Sequence, residues 1–180
     1  MKVDAGDQGT YILASVVCDA SVCDPVRDLL RSLLQGREPR LHWRDEDERR
    51  RTKIAAAIGT VDMAAIVVVG VPMAQKKQER ARRLCMETLM PTLEALGVSR
   101  VFMEARTPSL VTRDREQVAN LVGKKLITKD FRVLSARPRD EPMLWVPDAV
   151  AGAVGAARGG DAQWLDLMRH TVTELEIELR

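Results

Sequence analysis

The chain has 180 residues, 46% of them hydrophobic and 30% charged, the balance of a globular domain rather than of a disordered or membrane-spanning chain. A net charge of +2 is too small to argue for a nucleic-acid partner by itself, and an aromatic content of 3% disfavours a binder that works by stacking bases. The longest apolar run, Met63 to Met73, is too short for a bilayer, no signal-peptide pattern follows Met1, and Cys18, Cys23 and Cys85 lack zinc spacing, so the expected setting is cytoplasmic with reduced thiols.

Thr10 to Cys18 is rich in β-branched and apolar residues and predicts a buried strand. The turn-like Gly6-Asp7-Gln8-Gly9 pairs it with a very short strand at Met1 to Asp4. Asp24-Pro25 then predicts a helix start, with Asp24 as N-cap and Pro25 at the first helical position. Val26, Leu29, Leu30, Leu33 and Leu34 form its apolar stripe, and Gly36 ends it. Leu41-His42-Trp43 is a short extended piece. From Arg44 to Arg51 the charges run from acidic to basic, which suits the dipole of a helix continuing through Ile54 and Ile58 to Gly59.

Met63 to Val71 is a near-continuous apolar strand of the kind covered on both faces, stopped by Pro72. Gln75 to Leu96 predicts a long helix, kinked or split at Pro91 and ended by Gly97. Arg100 to Glu104 is a strand, Thr112 to Lys124 a helix and Phe131 to Ser135 a further strand. A small-residue helix covers Pro147 to Ala157, Gly159-Gly160 breaks it, and Gln163 to Leu179 reads as a terminal amphipathic helix. Strands alternating with helices after an opening hairpin predict a single α/β domain with a mixed five-stranded sheet flanked by helices on both faces.

Four acids lie at the ends of different predicted elements: Asp4, Glu104, Asp114 and Asp148. Each has an ordinary explanation, as a turn residue, an exposed strand end, or a first-turn helix acid. Gathered together, they would repel one another unless a divalent cation offset the charge. Oxygen ligands of this kind suit Mg²⁺ or Mn²⁺, and no His/Cys cluster argues for zinc.

These residues have a familiar order. Asp4-Ala5-Gly6, the strand Ile12 to Val17, Leu41-His42-Trp43-Arg44, Glu104-Ala105-Arg106 with Asp114, and Leu144 to Ala153 together resemble a group of uncharacterised bacterial proteins of the ribonuclease H-like superfamily. The resemblance runs from Lys2 to about Arg158 and rests on the order and spacing of short motifs. It departs in two places. Ala5 stands where the family usually has a second acid, and no motif singles out Glu79 or Glu87 on the long helix as a further ligand.

The resemblance implies a Mg²⁺- or Mn²⁺-dependent nuclease or phosphodiesterase acting on nucleic acid. Its metal ligands would be Asp4, Glu104 and Asp148, with Asp114 as a fourth. His42 is a candidate proton carrier, or equally a core residue against Trp43. Arg106, two residues beyond Glu104, and Arg44 beside His42 are candidate substrate contacts; Arg106 reads equally well as a partner for Glu104. The basic clusters at Arg44 to Arg51 and Lys76 to Arg83, with Lys124, Lys125 and Lys129, read as flanks of a nucleic-acid groove or as solvated helix faces.

The alternative is a catalytically inactive module of the same architecture that binds nucleic acid or a protein partner. A third reading is an oligomerisation domain built on the terminal helix. No membrane partner is expected. The phosphate-binding, dinucleotide-binding and nucleophile-elbow motifs Gly-x-x-x-x-Gly-Lys-Ser/Thr, Gly-x-Gly-x-x-Gly and Gly-x-Ser-x-Gly do not occur.

Overall fold

Strand β2 (Ala64–Met73) is the spine of the molecule, and its alternation explains the layers. Ala65, Val67 and Val69 point into one apolar core, whereas Ile66 and Val68 point into a second on the opposite face. All five are nearly or fully buried, as the continuous apolar run requires. β1 (Gly9–Val17) pairs with β2 antiparallel, and β5 (Val172–Glu178) pairs with it parallel on the other side. β3 (Arg100–Glu104) and β4 (Arg132–Ala136) form a separate parallel pair. The computed structural model describes residues 9–179, and the hairpin partner expected at Met1 to Asp4 lies outside them.

Helices cover both faces. The first core gathers α1 (Ala20–Ser32), α2 (Glu48–Gly59), α5 (Trp145–Arg158) and α6 (Gln163–Met168). The second gathers α3 (Gln78–Ala95) with Leu121 of α4 (Pro108–Gly123), Ile127 and Phe131. The architecture is therefore α/β, with three strands in one sheet and two in another among the described residues, rather than five in a single sheet. No helix among the described residues is long and apolar enough to cross a membrane.

Several expectations are corrected by local chemistry. The C-terminal stretch is not one helix. α6 is followed by a 3₁₀ turn at Arg169–Thr171 and then by β5. Glu174-Leu175-Glu176-Ile177-Glu178 alternates strictly, and Leu175 and Ile177 reach the second core. That period of two suits a strand, and β2 offers it a partner. α1 starts a turn earlier than Asp24, because the Asp19 carboxylate accepts from the Ser21 amide at 2.9 Å and its hydroxyl at 2.7 Å, leaving Pro25 inside the helix. α2 begins at Glu48, capped by Asp47; the preceding Trp43–Asp45 forms a 3₁₀ turn. β2 runs through Pro72, and α3 is one continuous helix across Pro91.

Candidate active site

The corner before α2 is seated on the first turns of α5. His42 is extended, and its Nδ1 lies 2.9 Å from Asp148 Oδ2. The backbone amide of Trp43 donates to the same oxygen at 2.9 Å. One turn along α5 from Asp148, Gly152 leaves the space that the Trp43 indole fills: a Cβ there would overlap the ring. Asp148 and Gly152 thus hold the corner by charge and by shape from one helix face. The small residues of α5 serve this close approach, and Ala149 and Ala153 are buried in the same core as Trp43.

Arg51 of α2 closes the corner from the other side. Its guanidinium donates to the Trp43 carbonyl at 3.1 Å and the Arg44 carbonyl at 3.2 Å. It also lies over the rings of Trp43 and Trp164, 5.6 and 5.4 Å from their centroids. The two indoles meet edge to face at 5.6 Å. His42 and Asp148 are each about one-third exposed, at 37%, on this rigid seat. Neither His42 Nε2 nor Asp148 Oδ1 has a hydrogen-bond partner among the described residues.

Glu104 closes β3 and lies 3.6 Å from Arg40, while its side chain stays 56% exposed. Arg40 and His42 are alternate residues of one short segment. Two acids from different elements therefore meet the same piece of chain, Glu104 through Arg40 and Asp148 through His42. Glu104 also stands at the carboxyl ends of the parallel strands β3 and β4, where open α/β sheets place their ligands.

Asp114 belongs to a different network. Arg82 grips it with two hydrogen bonds of 2.8 and 3.0 Å, and Arg106 reaches its Oδ1 at 3.3 Å. Arg106 in turn pairs with Glu79 of α3 rather than with Glu104. Burial works against the charge of Arg82, but the Asp114 carboxylate and the Tyr11 hydroxyl outweigh it and hold the guanidinium protonated well above its usual range. Two guanidiniums at one carboxylate oppose a metal ion at the same oxygens. The network instead pins α4 and the end of β3 to α3.

Asp4 lies outside the described residues. The Arg44 side chain is exposed beside His42 and makes no ion pair among the described residues. Among the described residues no three His, Cys, Asp or Glu side chains gather as a metal group. The cysteines are free thiols; burial pushes Cys85 up to about 11 and, with the neighbouring Cys23, Cys18 to about 11 also, so neither is an activated nucleophile at neutral pH.

Two arginines at the corner, Arg40 and Arg51, are not singled out by any sequence motif. Arg40 lies at a bend two residues before His42, where no local pattern marks it. Arg51 is hidden in a charge run. A scan against protein-family models, a search of curated proteins and a search of solved structures each returned no match.

Proposed function

We propose that the protein is a ribonuclease H-like phosphodiesterase acting on nucleic acid, with its site at the corner where His42 meets Asp148. One observation carries the reading: Glu104 from a strand end and Asp148 from a helix start are held on the same Arg40–His42 segment. On this reading Asp148 Oδ2 orients the imidazole through Nδ1. Nε2 is left to give or take a proton at a phosphate oxygen. Arg40 and the exposed Arg44 supply positive charge for the phosphate.

Asp148 Oδ1, which has no partner among the described residues, and the loosely paired Glu104 carboxylate have the donor chemistry for Mg²⁺ or Mn²⁺; with Asp4 they are the residues that would hold it. When bound, such an ion would supply an activated water and offset charge on the leaving oxygen. Asp114 and Arg106 are left out, since their charges are spent on Arg82 and Glu79. A cytoplasmic setting belongs to the same reading.

The second reading, a non-catalytic module, draws on Ala5 and on the fact that Asp148 already has a structural task in seating Trp43. Cleavage of labelled DNA and RNA oligonucleotides with millimolar Mn²⁺ separates the two. Wild type is expected to cut at least one of them. Asp148→Asn, which keeps an oxygen to accept from the Trp43 amide, is expected to lose activity about 100-fold or more, the scale of losing a catalytic group, with its melting temperature little changed. No cleavage by wild type, or full activity in the variant, would overturn the proposal.

A further inference from the structure

A recess of about 280 Å³ lies between α3 and α4, away from any residue assigned to the corner above. Its floor is Met86 and Gln117, both buried. Its rims carry Arg80 and Arg83 from α3 and Arg113 from α4, all exposed. Arg80 and Arg83 are three residues apart and so share a helix face. The lining also contains Glu79, Asp114 and Glu116, and their partners decide the net sign. Asp114 is taken by Arg82 and Arg106, and Glu79 by Arg106. Neither Arg80 nor Arg113 meets a carboxylate among the described residues, and Arg83 acts on Glu87 only at a distance. Glu116 is the one lining carboxylate that no cation meets among the described residues. Three free guanidiniums against one free carboxylate leave the recess positive.

The same ion-pair network fixes the spacing of the rims, because Arg82 and Arg106 tie α3, α4 and the end of β3 together. The three arginines are thus presented from a rigid frame, which lowers the ordering cost of a bidentate contact.

We infer that the α3–α4 recess is a phosphate-backbone site, through which Arg80, Arg83 and Arg113 hold a nucleic-acid strand outside the catalytic corner. This rests on the nucleic-acid reading of the protein and adds the surface that binds the substrate. The contacts are to phosphate, so they supply affinity and orientation without reading sequence.

The test is the salt dependence of binding, measured by fluorescence anisotropy of a short labelled DNA duplex with the full chain. The slope of log K against log salt changes by about 0.9 for each phosphate that the protein no longer neutralises. The variant Arg80→Gln/Arg83→Gln/Arg113→Gln is expected to flatten the slope by about two to three. Should the triple variant not fold, Arg80→Gln and Arg113→Gln singly are each expected to flatten it by about one. An unchanged slope, or no binding by wild type at low salt, overturns the inference. Cleavage with an unchanged slope would leave the nuclease reading standing; a flattened slope without cleavage would leave the recess standing and remove the nuclease.

Discussion

Gly152 and Asp148 decide the position of His42. The Asp148 carboxylate fixes the backbone at Trp43, and the missing Cβ of Gly152 lets the indole lie against α5. Replacing Gly152 by alanine would raise helix propensity by up to about 1 kcal/mol. The added methyl would overlap a ring that is 6% exposed and enclosed by Trp164 and Arg51, so it has nowhere to move. Overpacking of this kind costs about 1–3 kcal/mol, and the enclosed ring places the cost at the upper end. Gly152→Ala is therefore expected to lower the urea midpoint and to change the near-ultraviolet tryptophan signal. An unchanged midpoint and spectrum would show that the indole is not held as described.

The same residue scale shows what the sequence could reveal. Asp148 was legible as an acid needing a partner at the head of an apolar helix. His42 was legible as a candidate proton carrier but not as the partner of Asp148, because nothing in the local sequence states which distant helix a corner will meet. Arg106 shows the same limit. Its place two residues from Glu104 makes that acid a natural partner, but the competing carboxylates of Glu79 and Asp114 come from helices whose packing no local pattern specifies.

Among the elements, the approach to α5 is tied down by Glu141. Its carboxylate takes two bonds from Arg27 of α1, at 2.9 and 2.7 Å, and accepts from the Met143 amide at the start of the 3₁₀ turn Pro142–Leu144 that leads into α5. The Arg27 guanidinium holds the Glu141 carboxyl below its ordinary value of 4.5, outweighing the opposing effect of burial. A depressed carboxylate contributes stability that is fully present above the ordinary value and disappears as pH falls through the lower folded one. Thermal stability is thus expected to decline below pH 4.5 more steeply in wild type than in Glu141→Gln. Parallel acid-melting curves for the two proteins would remove this link between α1 and α5 from the account.

Element type was readable where one signal dominated. The continuous apolar run gave β2, and Gly97, with its positive φ of 84°, marked the end of α3. It is ambiguous where two signals compete. The terminal Thr173 to Leu179 carries a strict period of two, which competes with the helical pattern before it. What makes it a strand is the open edge of β2, a tertiary fact. Arg158 at the end of α5 then pairs with Glu174 and Glu176 along the exposed side of β5.

Across the whole molecule, the alternation of strands and helices was sufficient to predict α/β layering with helices on both faces. Sheet membership was not, because it depends on which edges pair, and the described strands divide into three and two. The arrangement still brings chemistry from distant sequence to one place. β3 delivers Glu104, α5 delivers Asp148, and the Arg40–His42 segment meets both. Asp114 is drawn into the scaffold instead, and the difference between these acids is the central claim. It is tested most directly by calorimetric titration of the full chain with Mn²⁺. Saturable binding is predicted, weakened at least ~10-fold by Asp148→Asn and by Glu104→Gln, the lower bound of the effect expected when a metal-site residue is altered. No binding by wild type, or binding indifferent to both substitutions, would contradict it.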